Sequence, residues 1–431
     1  MIYAVRKIFV IAILLFACEA YALPSRYDLR DYGRITSVKN QGIPGPCWAF
    51  AAMGALESSW LTQYPGKAPD LSDLHTAFYC YKDPDKKRNF SSRFKSGTLR
   101  LEGNAFMPVA LLARLSGPTD EKNLRYTSSL SNSQIKSLSK KSPETFRRSM
   151  RLKAAYFLSG TSVLDRENMK RLIMDCGALV VSMYSDPSNY HTMGNYYTYY
   201  DNSHGTDTNH IVLIAGWDDN FSRYNFSPKP EHDGAWLIKN SWGTSRGSNG
   251  GYFWMSYDQH IYGGTAFIAE RNNPRLKHYG YDDLGYCGNA KYTWGANVFK
   301  ISGKGERLKE VGFYTPLNGT EYEIYVYSHG SKKPSSPLAG RIIASLKGRE
   351  EFAGYHTENL TEQIRVNEGE YFSVVLKLSV GYMPVEMKYK DYSENAEINP
   401  GESYFSHDGQ NWTDGFNIGN NACIKAFTVT R

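Results

Sequence analysis

The segment NQGIPGPCWAFAAMGALES, residues 40–58, places a cysteine directly before an apolar run whose larger side chains recur at three- and four-residue steps. That spacing predicts a helix that begins at Cys47. Pro46 restricts Gly45 to non-helical geometry, so the helix should begin abruptly at the thiol. The free N–H groups and the positive end of a helix start both favour a thiolate. A small buried hydrophobe is the commoner role of a free cysteine.

The chain has 431 residues, of which 41% are hydrophobic and 22% charged, so two or three domains with a sizeable core are expected. The net charge is +7, and lysines and arginines are dispersed apart from the stretch KKSPETFRRSMRLK. A dispersed charge of this size indicates a solvated surface and argues against nucleic-acid binding.

The first 22 residues have the features of an export signal. Arg6 and Lys7 precede the apolar run IFVIAILLFA, and the small-x-small sequence AYA ends just before Leu23. The run is too short to span a bilayer. We therefore expect residues 1–22 to be removed, which gives a secreted, periplasmic or cell-surface protein without a transmembrane segment. Lipidation at Cys18, in a sequence that loosely resembles a lipoprotein box, is the alternative.

The pattern of the sequence changes near residue 275. From residue 23 to about residue 272, helical spacings are mixed with strand-like stretches, and the Ser-, Lys- and Arg-rich region 120–155 is expected on the surface. After residue 275, segments such as EYEIYVYS and GEYFSVVLKLS are continuously apolar or alternate between apolar and polar residues, and turn residues separate them. We expect an α+β domain over residues 23–272 and an all-β sandwich over residues 275–431.

Five cysteines follow the expected signal peptide, and their odd number leaves at least one thiol free. They are Cys47, Cys80, Cys176, Cys287 and Cys423. No CxxC pair occurs among them, which argues against a zinc or dithiol site, and no metal or other cofactor is expected. Cys287 and Cys423 lie near the two ends of the β-rich segment, and we expect them to form a disulfide. Two buried thiols are the alternative.

Two downstream residues could serve a nucleophilic Cys47. His210 begins the apolar run HIVLIAGW, and Asn240 follows the apolar run AWLIK. A thiol nucleophile needs a base and a group that orients that base. Each residue alone is more often structural, because histidines at strand edges and asparagines in turns are common. Together with Cys47, in this order, they favour catalysis.

Four segments in order resemble papain-like cysteine peptidases: SRYDLRDYGRITSVKNQG, CWAF, NHIVLIAGW and WLIKNSWG. The resemblance covers about residues 23–270. With the β-rich tail, the chain is similar to the bacterial members that carry a lectin-like domain after the peptidase. The resemblance implies a peptidase fold with a helical half and a β-rich half, followed by a lectin-like β-sandwich.

The resemblance also implies a role for each residue of the set. Cys47 attacks the scissile carbonyl, and His210 takes its proton and returns it to the leaving amine. Asn240 orients the imidazole. Gln41, six residues before Cys47, joins the Cys47 backbone N–H in stabilising the oxyanion. Trp242 shields the bond between Asn240 and His210 from water.

A substrate-binding edge follows from the same resemblance, because EGNAFM is similar to the segment whose backbone binds extended substrate. The candidate substrate contacts are Gly103, Asn104, Asn209 and Trp242. The chain departs from the family at Pro44, where most members have a cysteine. Cys80 resembles the partner of that cysteine, so we expect it to be unpaired or differently paired.

The expected function is that of an exported endopeptidase acting on proteins or peptides. Acyl or peptidyl transfer to an amine through the same thioester is one alternative, and a non-enzymatic surface adhesin is another. The complete set of Cys47, His210, Asn240 and Gln41 favours an enzyme. No inhibitory pro-segment is expected between the signal peptide and the peptidase. The aromatic- and amide-rich tail suggests a carbohydrate ligand, although aromatic residues in a β-sandwich are more often packed.

Overall fold

The structure is a computed structural model that describes residues 22–42, 45–80, 102–158, 163–247, 249–390, 392–394 and 396–430. The expected signal peptide up to residue 21, with Cys18, lies outside the described residues, and so does Pro44. Within the described ranges, no helix has both the length and the apolar character that crossing a membrane requires.

The described residues form six α-helices and twenty-two strands. The helices are α1 (Cys47–Gln63), α2 (Asp73–Tyr79), α3 (Phe106–Ala113), α4 (Asn132–Ser139), α5 (Val163–Cys176) and α6 (Gly415–Ile418). The strands of the first half are β1 (Arg26–Asp28), β2 (Met150–Leu158), β3 (Leu179–Met183), β4 (Tyr190–Met193), β5 (Tyr196–Tyr199), β6 (His210–Asp218), β7 (Ala235–Lys239), β8 (Tyr252–Ser256) and β9 (Ile261–Arg271). Those of the second half are β10 (Leu276–Tyr279), β11 (Gly288–Ala290), β12 (Trp294–Lys300), β13 (Glu306–Thr315), β14 (Thr320–Gly330), β15 (Arg341–Glu350), β16 (Ala353–Arg365), β17 (Tyr371–Leu378), β18 (Met383–Met387), β19 (Ser403–Ser406), β20 (Thr413–Asp414), β21 (Asn420–Ala422) and β22 (Ile424–Thr430).

Helix α1 is the centre of the first half. It begins at Cys47, as its apolar spacing predicts, and nearly all of its residues are buried because it packs against α2, α5, β6 and β9. At Gly54 a Cβ atom would lie 2.7 Å from Leu213 Cδ1. Glycine at this position therefore lets β6 approach α1 closely, which sets the distance between the elements that carry Cys47 and His210.

Thirteen of the described strands form one sheet that runs through both halves of the chain. Its order is β10-β22-β13-β16-β2-β9-β3-β6-β7-β8-β5-β4, with β1 paired to β6. Strand β2 lies between β9 of the first half and β16 of the second. Residues 150–155 are therefore mostly buried strand residues, and the expected surface position of region 120–155 is wrong for them. It is correct for most of α4.

The second half is a β-sandwich, as its sequence predicts. A six-stranded sheet of order β15-β14-β17-β12-β19-β20 packs against β13 and β22 of the large sheet. Its core contains Phe313 and Ile424 from the large sheet and Ile324, Val374 and Phe405 from the six-stranded sheet. A three-stranded sheet, β11-β18-β21, contacts both.

The two halves share a hydrophobic core as well as a sheet. The largest core cluster contains Tyr314, Tyr355 and Cys423 of the second half together with α1 and β6 residues of the first. The predicted domain ranges, 23–272 and 275–431, meet in the connection between β9 and β10. These ranges stay a prediction, because the shared core crosses the connection that separates them.

The five cysteines of the described residues are all free thiols, so the expected disulfide between Cys287 and Cys423 is wrong. The N–H of Cys287 donates to Val385 O and that of Cys423 to Pro384 O. The two cysteines thus lie on opposite sides of β18. Two strand spacings, about 9.5 Å, exceed the Cα separation of about 7 Å that a disulfide tolerates. Cys80 is unpaired, one of the two outcomes expected for it.

Candidate active site

The first residues of α1 and β6 lie at one cleft. Cys47 is half-buried at the start of α1, and His210 is buried at the start of β6. Both line the same cleft of about 860 Å³. The packing of α1 on β6 therefore brings together two residues that are 163 positions apart in the sequence.

The imidazole of His210 is fixed from two directions. Its Nε2 donates to Asn240 Oδ1 at 2.9 Å, a tautomer assigned from this bond. Trp242 stacks on the ring with centroids 4.8 Å apart and planes 20° apart. Asn240 Oδ1 also accepts a hydrogen bond from the N–H of Ser241, at 2.8 Å. Nδ1 of His210 is left as the nitrogen without a proton, which is the form a general base requires.

Burial shifts the pKa of both Cys47 and His210. It raises the pKa of the Cys47 thiol, and the backbone N–H groups of Ile211 and Trp48 lower it only in part. Burial also lowers the pKa of His210 to about 4, against a smaller rise from its bond with Asn240. Desolvation therefore opposes the preference for a thiolate that the helix start favours.

Gln41 is buried close to the start of α1, which begins at Cys47. Its Nε2 donates to Gly45 O at 3.3 Å, and the N–H of Cys47 donates to the same oxygen at 3.0 Å. Gln41 Oε1 accepts from the Ser241 hydroxyl, and its carbonyl accepts from Tyr126 Oη at 2.6 Å. The two donors named for the oxyanion thus converge on one point, which the Gly45 carbonyl occupies.

The cleft also contains three of the four candidate substrate contacts. Gly103, Asn104 and Asn209 line it, whereas Trp242 is absent from the described residues of its wall. A Cβ at Gly103 would lie 2.6 Å from the Trp48 ring, so only glycine fits there. The side chains of both asparagines are engaged in the fold. Asn104 Oδ1 accepts from two N–H groups at the start of α3, and Asn209 bonds the backbone of Ser185 in both directions.

Two family models match the chain. One is described as a lectin like domain and matches residues 278–428. The other is described as papain family cysteine protease and matches residues 23–271, more than half of the chain. The chain belongs to the papain family of cysteine proteases. The predicted resemblance is confirmed for both halves.

A solved structure with the same two parts is similar to this papain-family chain. The protease and lectin-like domains of Cwp84, a surface layer associated protein of Clostridium difficile, are 25% identical, with a TM-score of 0.78 over 95% of this chain and 89% of that chain. A structure of Cwp84 after propeptide cleavage gives a TM-score of 0.79 over 95% of this chain and all of that one. The similarity thus spans both halves.

Curated relatives match the peptidase part of the chain. A viral cathepsin of Heliothis zea nuclear polyhedrosis virus is 28% identical over 235 residues, 53% of this chain and 51% of the relative. Cysteine proteinase 1 of Zea mays is 28% identical over 231 residues, 53% of this chain and 56% of the relative. The chain spans about half the length of the curated relatives it matches.

Sequence reasoning missed a largely buried charge cluster close to the segments that carry Gln41 and Asn240 in this papain-family chain. Lys39 Nζ lies 3.3 Å from Glu57 Oε1 and 3.1 Å from Asp73 Oδ2. Lys239 donates to Thr36 Oγ1 at 3.1 Å, and burial lowers its pKa to about 8. Lys39 lies two residues before Gln41, and Lys239 lies one residue before Asn240. A lysine inside an apolar strand-like run was the available signal.

Arg246 is a second residue whose role the sequence did not reveal. Its guanidinium carbon lies 5.2 Å from the centre of the Trp242 ring. The ring of Tyr190 also lies next to Trp242, with centroids 5.6 Å apart. Arg246 therefore helps to hold the indole that packs on His210. In the described part of the chain, no group of three or more His, Cys, Asp or Glu side chains is placed to hold a metal ion.

Proposed function

We propose that this papain-family chain is an endopeptidase that cleaves peptide bonds through a thioester on Cys47. The observation that carries the proposal is the bond between His210 Nε2 and Asn240 Oδ1, because it leaves Nδ1 as a proton acceptor in the cleft that Cys47 lines. Family membership and the structural similarity to Cwp84 support the same activity.

The reaction has two steps. In the first, His210 Nδ1 takes the proton of the Cys47 thiol as Sγ bonds to the scissile carbonyl carbon. The imidazolium then gives this proton to the leaving amine, the C–N bond breaks, and a thioester remains. In the second, water gives a proton to His210 and its oxygen attacks the thioester carbon. The acid product leaves, and the proton on His210 returns to Sγ.

The oxyanion of each step takes the place that Gly45 O occupies in the structure. Gln41 Nε2 and the Cys47 N–H already converge on that point. Substrate binding requires the carbonyl of Gly45 to turn away, which frees both donors. Removing one such donor from an active site typically lowers the rate on the order of 100-fold or more.

The substrate binds in extended form and is held by backbone groups. Gly103 presents its backbone to the cleft, since no side chain fits against Trp48 at this position. The side-chain oxygens of Asn104 and Asn209 accept bonds from within the fold. Hydrogen bonds that these two residues accept from a peptide therefore go to their backbone carbonyls.

The test is hydrolysis of a peptide library by the Cys47→Ala variant, with Cys176→Ala as the matched control. Cys176 is another half-buried thiol of the same half, at the end of α5. We expect Cys47→Ala to abolish cleavage and labelling by a thiol-directed epoxide, and Cys176→Ala to retain both. Equal cleavage by wild type and Cys47→Ala would falsify the proposal. Products joined to an added amine would instead reveal acyl or peptidyl transfer.

We also propose that the chain is exported and acts outside the cytoplasm. The signal-like residues 1–22 and the similarity to Cwp84, a surface layer associated protein, support this location. N-terminal sequencing of the exported protein should begin at Leu23. A chain recovered only from the cytoplasm with its first residues intact would contradict it.

A second proposed function is carbohydrate binding by the six-stranded sheet. Trp294 and Tyr325 stack on its outer face with centroids 6.3 Å apart, and Lys377 Nζ lies 5.3 Å from the Trp294 ring centre. Glu323 accepts from Lys377 at 2.7 Å. Aromatic faces beside paired charges suit a sugar ring, which has an apolar face and hydroxyl edges.

A glycan array with the full-length Cys47→Ala chain tests this second function. Trp294→Ala should lose the bound glycans. Tyr224→Ala, which changes a tyrosine 66% exposed on the peptidase half, should keep them. Identical patterns for both variants would contradict carbohydrate binding at this face.

A further inference from the structure

Two aromatic rings form part of the apolar wall of the cleft. Phe106 at the start of α3 and Phe157 of β2 both line the cleft, with ring centroids 4.7 Å apart and planes at 73°. Aromatic pairs in this edge-to-face geometry favour each other beyond simple burial. The position of each ring therefore depends on the other and on whatever packs behind the pair.

The residue behind Phe106 belongs to the second half of the chain. The ring of Tyr286 meets that of Phe106 edge to face, with centroids 6.1 Å apart. The rings of Tyr286 and Tyr314 are tilted against each other, with centroids 6.0 Å apart. Its hydroxyl accepts from Asn289 Nδ2 at 2.8 Å. The preceding Gly285 has a φ of +66°, and a Cβ there would lie 3.0 Å from Ala110 Cβ of α3. The loop that carries Tyr286 is thus pressed against the helix that carries Phe106.

Phe157 is also held by the second half. It is paired with Ala353 of β16 in the shared sheet. The neighbouring Gly354 has a φ of +141°, and a Cβ there would lie 2.0 Å from Ala155 O, so the close pairing requires glycine. Further along β2, the buried Arg151 donates to the buried Glu310 of β13 at 2.7 Å. These contacts fix β2 to the lectin-like half.

We propose that Tyr286 is a positioning residue that sets the place of Phe106 in the cleft wall, so that the lectin-like half selects the substrate side chain. The side chain that meets this wall is a bulky apolar one, because Val181 and Ile211 line the cleft together with the two phenylalanines. The inference rests on the proposed hydrolysis in this cleft. It assigns part of the substrate specificity to a residue outside the peptidase half.

The test compares four full-length chains: wild type, Tyr286→Ala, Tyr286→Phe and Tyr292→Ala. Tyr292 is the matched control, a half-buried tyrosine of the same half that packs on His407 and Phe405. Each chain is assayed for kcat and KM on peptides that differ at one position, with a bulky apolar or a small residue there. The rate of Cys47 alkylation and the melting temperature are measured in parallel.

We expect Tyr286→Ala to raise KM for the bulky apolar peptide about tenfold, the scale of a lost apolar contact in a pocket. For the small-residue peptide KM should stay within twofold, as should kcat and the alkylation rate. Tyr286→Phe keeps the ring and should match wild type, as should Tyr292→Ala. An unchanged KM ratio in Tyr286→Ala, or the same change in Tyr292→Ala, would overturn the inference.

Two additional measurements keep the test decisive. If Tyr286→Ala does not fold, Tyr286→Leu retains apolar volume without the ring edge and should change the KM ratio in the same direction by at least threefold. An unchanged ratio in that variant counts against the inference. If wild type cleaves no peptide, the proposed function fails. The inference is then decided by peptide affinity of the Cys47→Ala chain with and without Tyr286→Ala, where equal bulky-to-small ratios refute it.

Discussion

Gly45 is the residue on which both oxyanion donors converge. Its carbonyl accepts from Gln41 Nε2 and from the Cys47 N–H. A Cβ at this position would lie 2.6 Å from Gln41 O and 2.7 Å from Gln41 Cβ. Any side chain here must displace the glutamine or the segment that leads into α1.

Gly45→Ala should therefore lower kcat/KM on the order of 100-fold, the typical cost of a lost oxyanion donor. Alkylation of Cys47 by iodoacetamide needs no oxyanion site, so its rate should change less than threefold. Gly381→Ala is the control, because nothing lies within 4 Å of a Cβ at that position. A variant with full peptidase activity would show that Gln41 is not held by contact with Gly45.

The sequence was sufficient to select Cys47, His210 and Asn240 as one set, because side-chain chemistry and chain order point to them together. The structure places Cys47 and His210 at one cleft and bonds His210 to Asn240, while their catalytic roles stay a prediction. It was insufficient for Asn104 and Asn209. An asparagine near a cleft can bind substrate or satisfy the backbone, and only the structure shows that both side chains do the latter. The direction of the Gly45 carbonyl could not be predicted from the sequence either, because residue type does not determine the orientation of a peptide group.

Strand β18 carries a buried acidic residue, Glu386, for which no ion pair with another described residue is found. Burial, and then the charge of Asp283, raises the pKa of Glu386 to about 8. The carboxyl accepts from the N–H of Leu284 at 2.8 Å and from Asn421 Nδ2 at 2.9 Å. Protonation of Glu386 at neutral pH follows from this environment.

Because the pKa of Glu386 is higher in the folded than in the unfolded chain, its protonation favours the folded state most below pH 4.5. That contribution is lost as the pH rises through 8. Glu386→Gln cannot ionise, so its melting temperature should fall less than that of wild type between pH 4.5 and 8. Thermal unfolding of both chains across this range measures the difference. Parallel curves would contradict the prediction.

Elements with local signals were predicted well. The three- and four-residue spacing after Cys47 predicts α1, and alternating apolar residues predict the sandwich strands. The pairing of β2 with β16 could not be predicted, because it joins residues about 200 positions apart and neither strand specifies its neighbour. The charged residues around β2 also concealed a central strand within a region that looked exposed.

At the scale of the whole molecule, the two halves depend on each other unequally. The sandwich has its own core, formed by residues such as Phe313, Val374 and Phe405. The core of the peptidase half includes Tyr314 and Tyr355 of the second half. Its strand β2 is also hydrogen-bonded to β16 of the second half. Removal of the second half would leave β2 as an exposed sheet edge, a surface prone to aggregation.

A chain that ends at residue 272 should therefore be less stable and aggregate, whereas a fragment of residues 275–431 should unfold cooperatively. Expression of both pieces, with thermal unfolding followed by circular dichroism and solubility by sedimentation, checks this asymmetry. A soluble fragment 23–272 with full peptidase activity and the melting temperature of the intact chain would show that the shared sheet contributes little.

The continuous sheet also determines how far the enzyme can reach. Two domains on a flexible linker sample many separations, and the linker length sets the range. Here β16 is hydrogen-bonded to β2, and Arg151 is paired with Glu310 across the same junction, so the cleft keeps a fixed distance and direction from the sandwich. If the sandwich is attached to a surface, the cleft is held at one distance and orientation from that surface. The protease then cleaves only those peptide bonds that lie within reach of the cleft in this orientation.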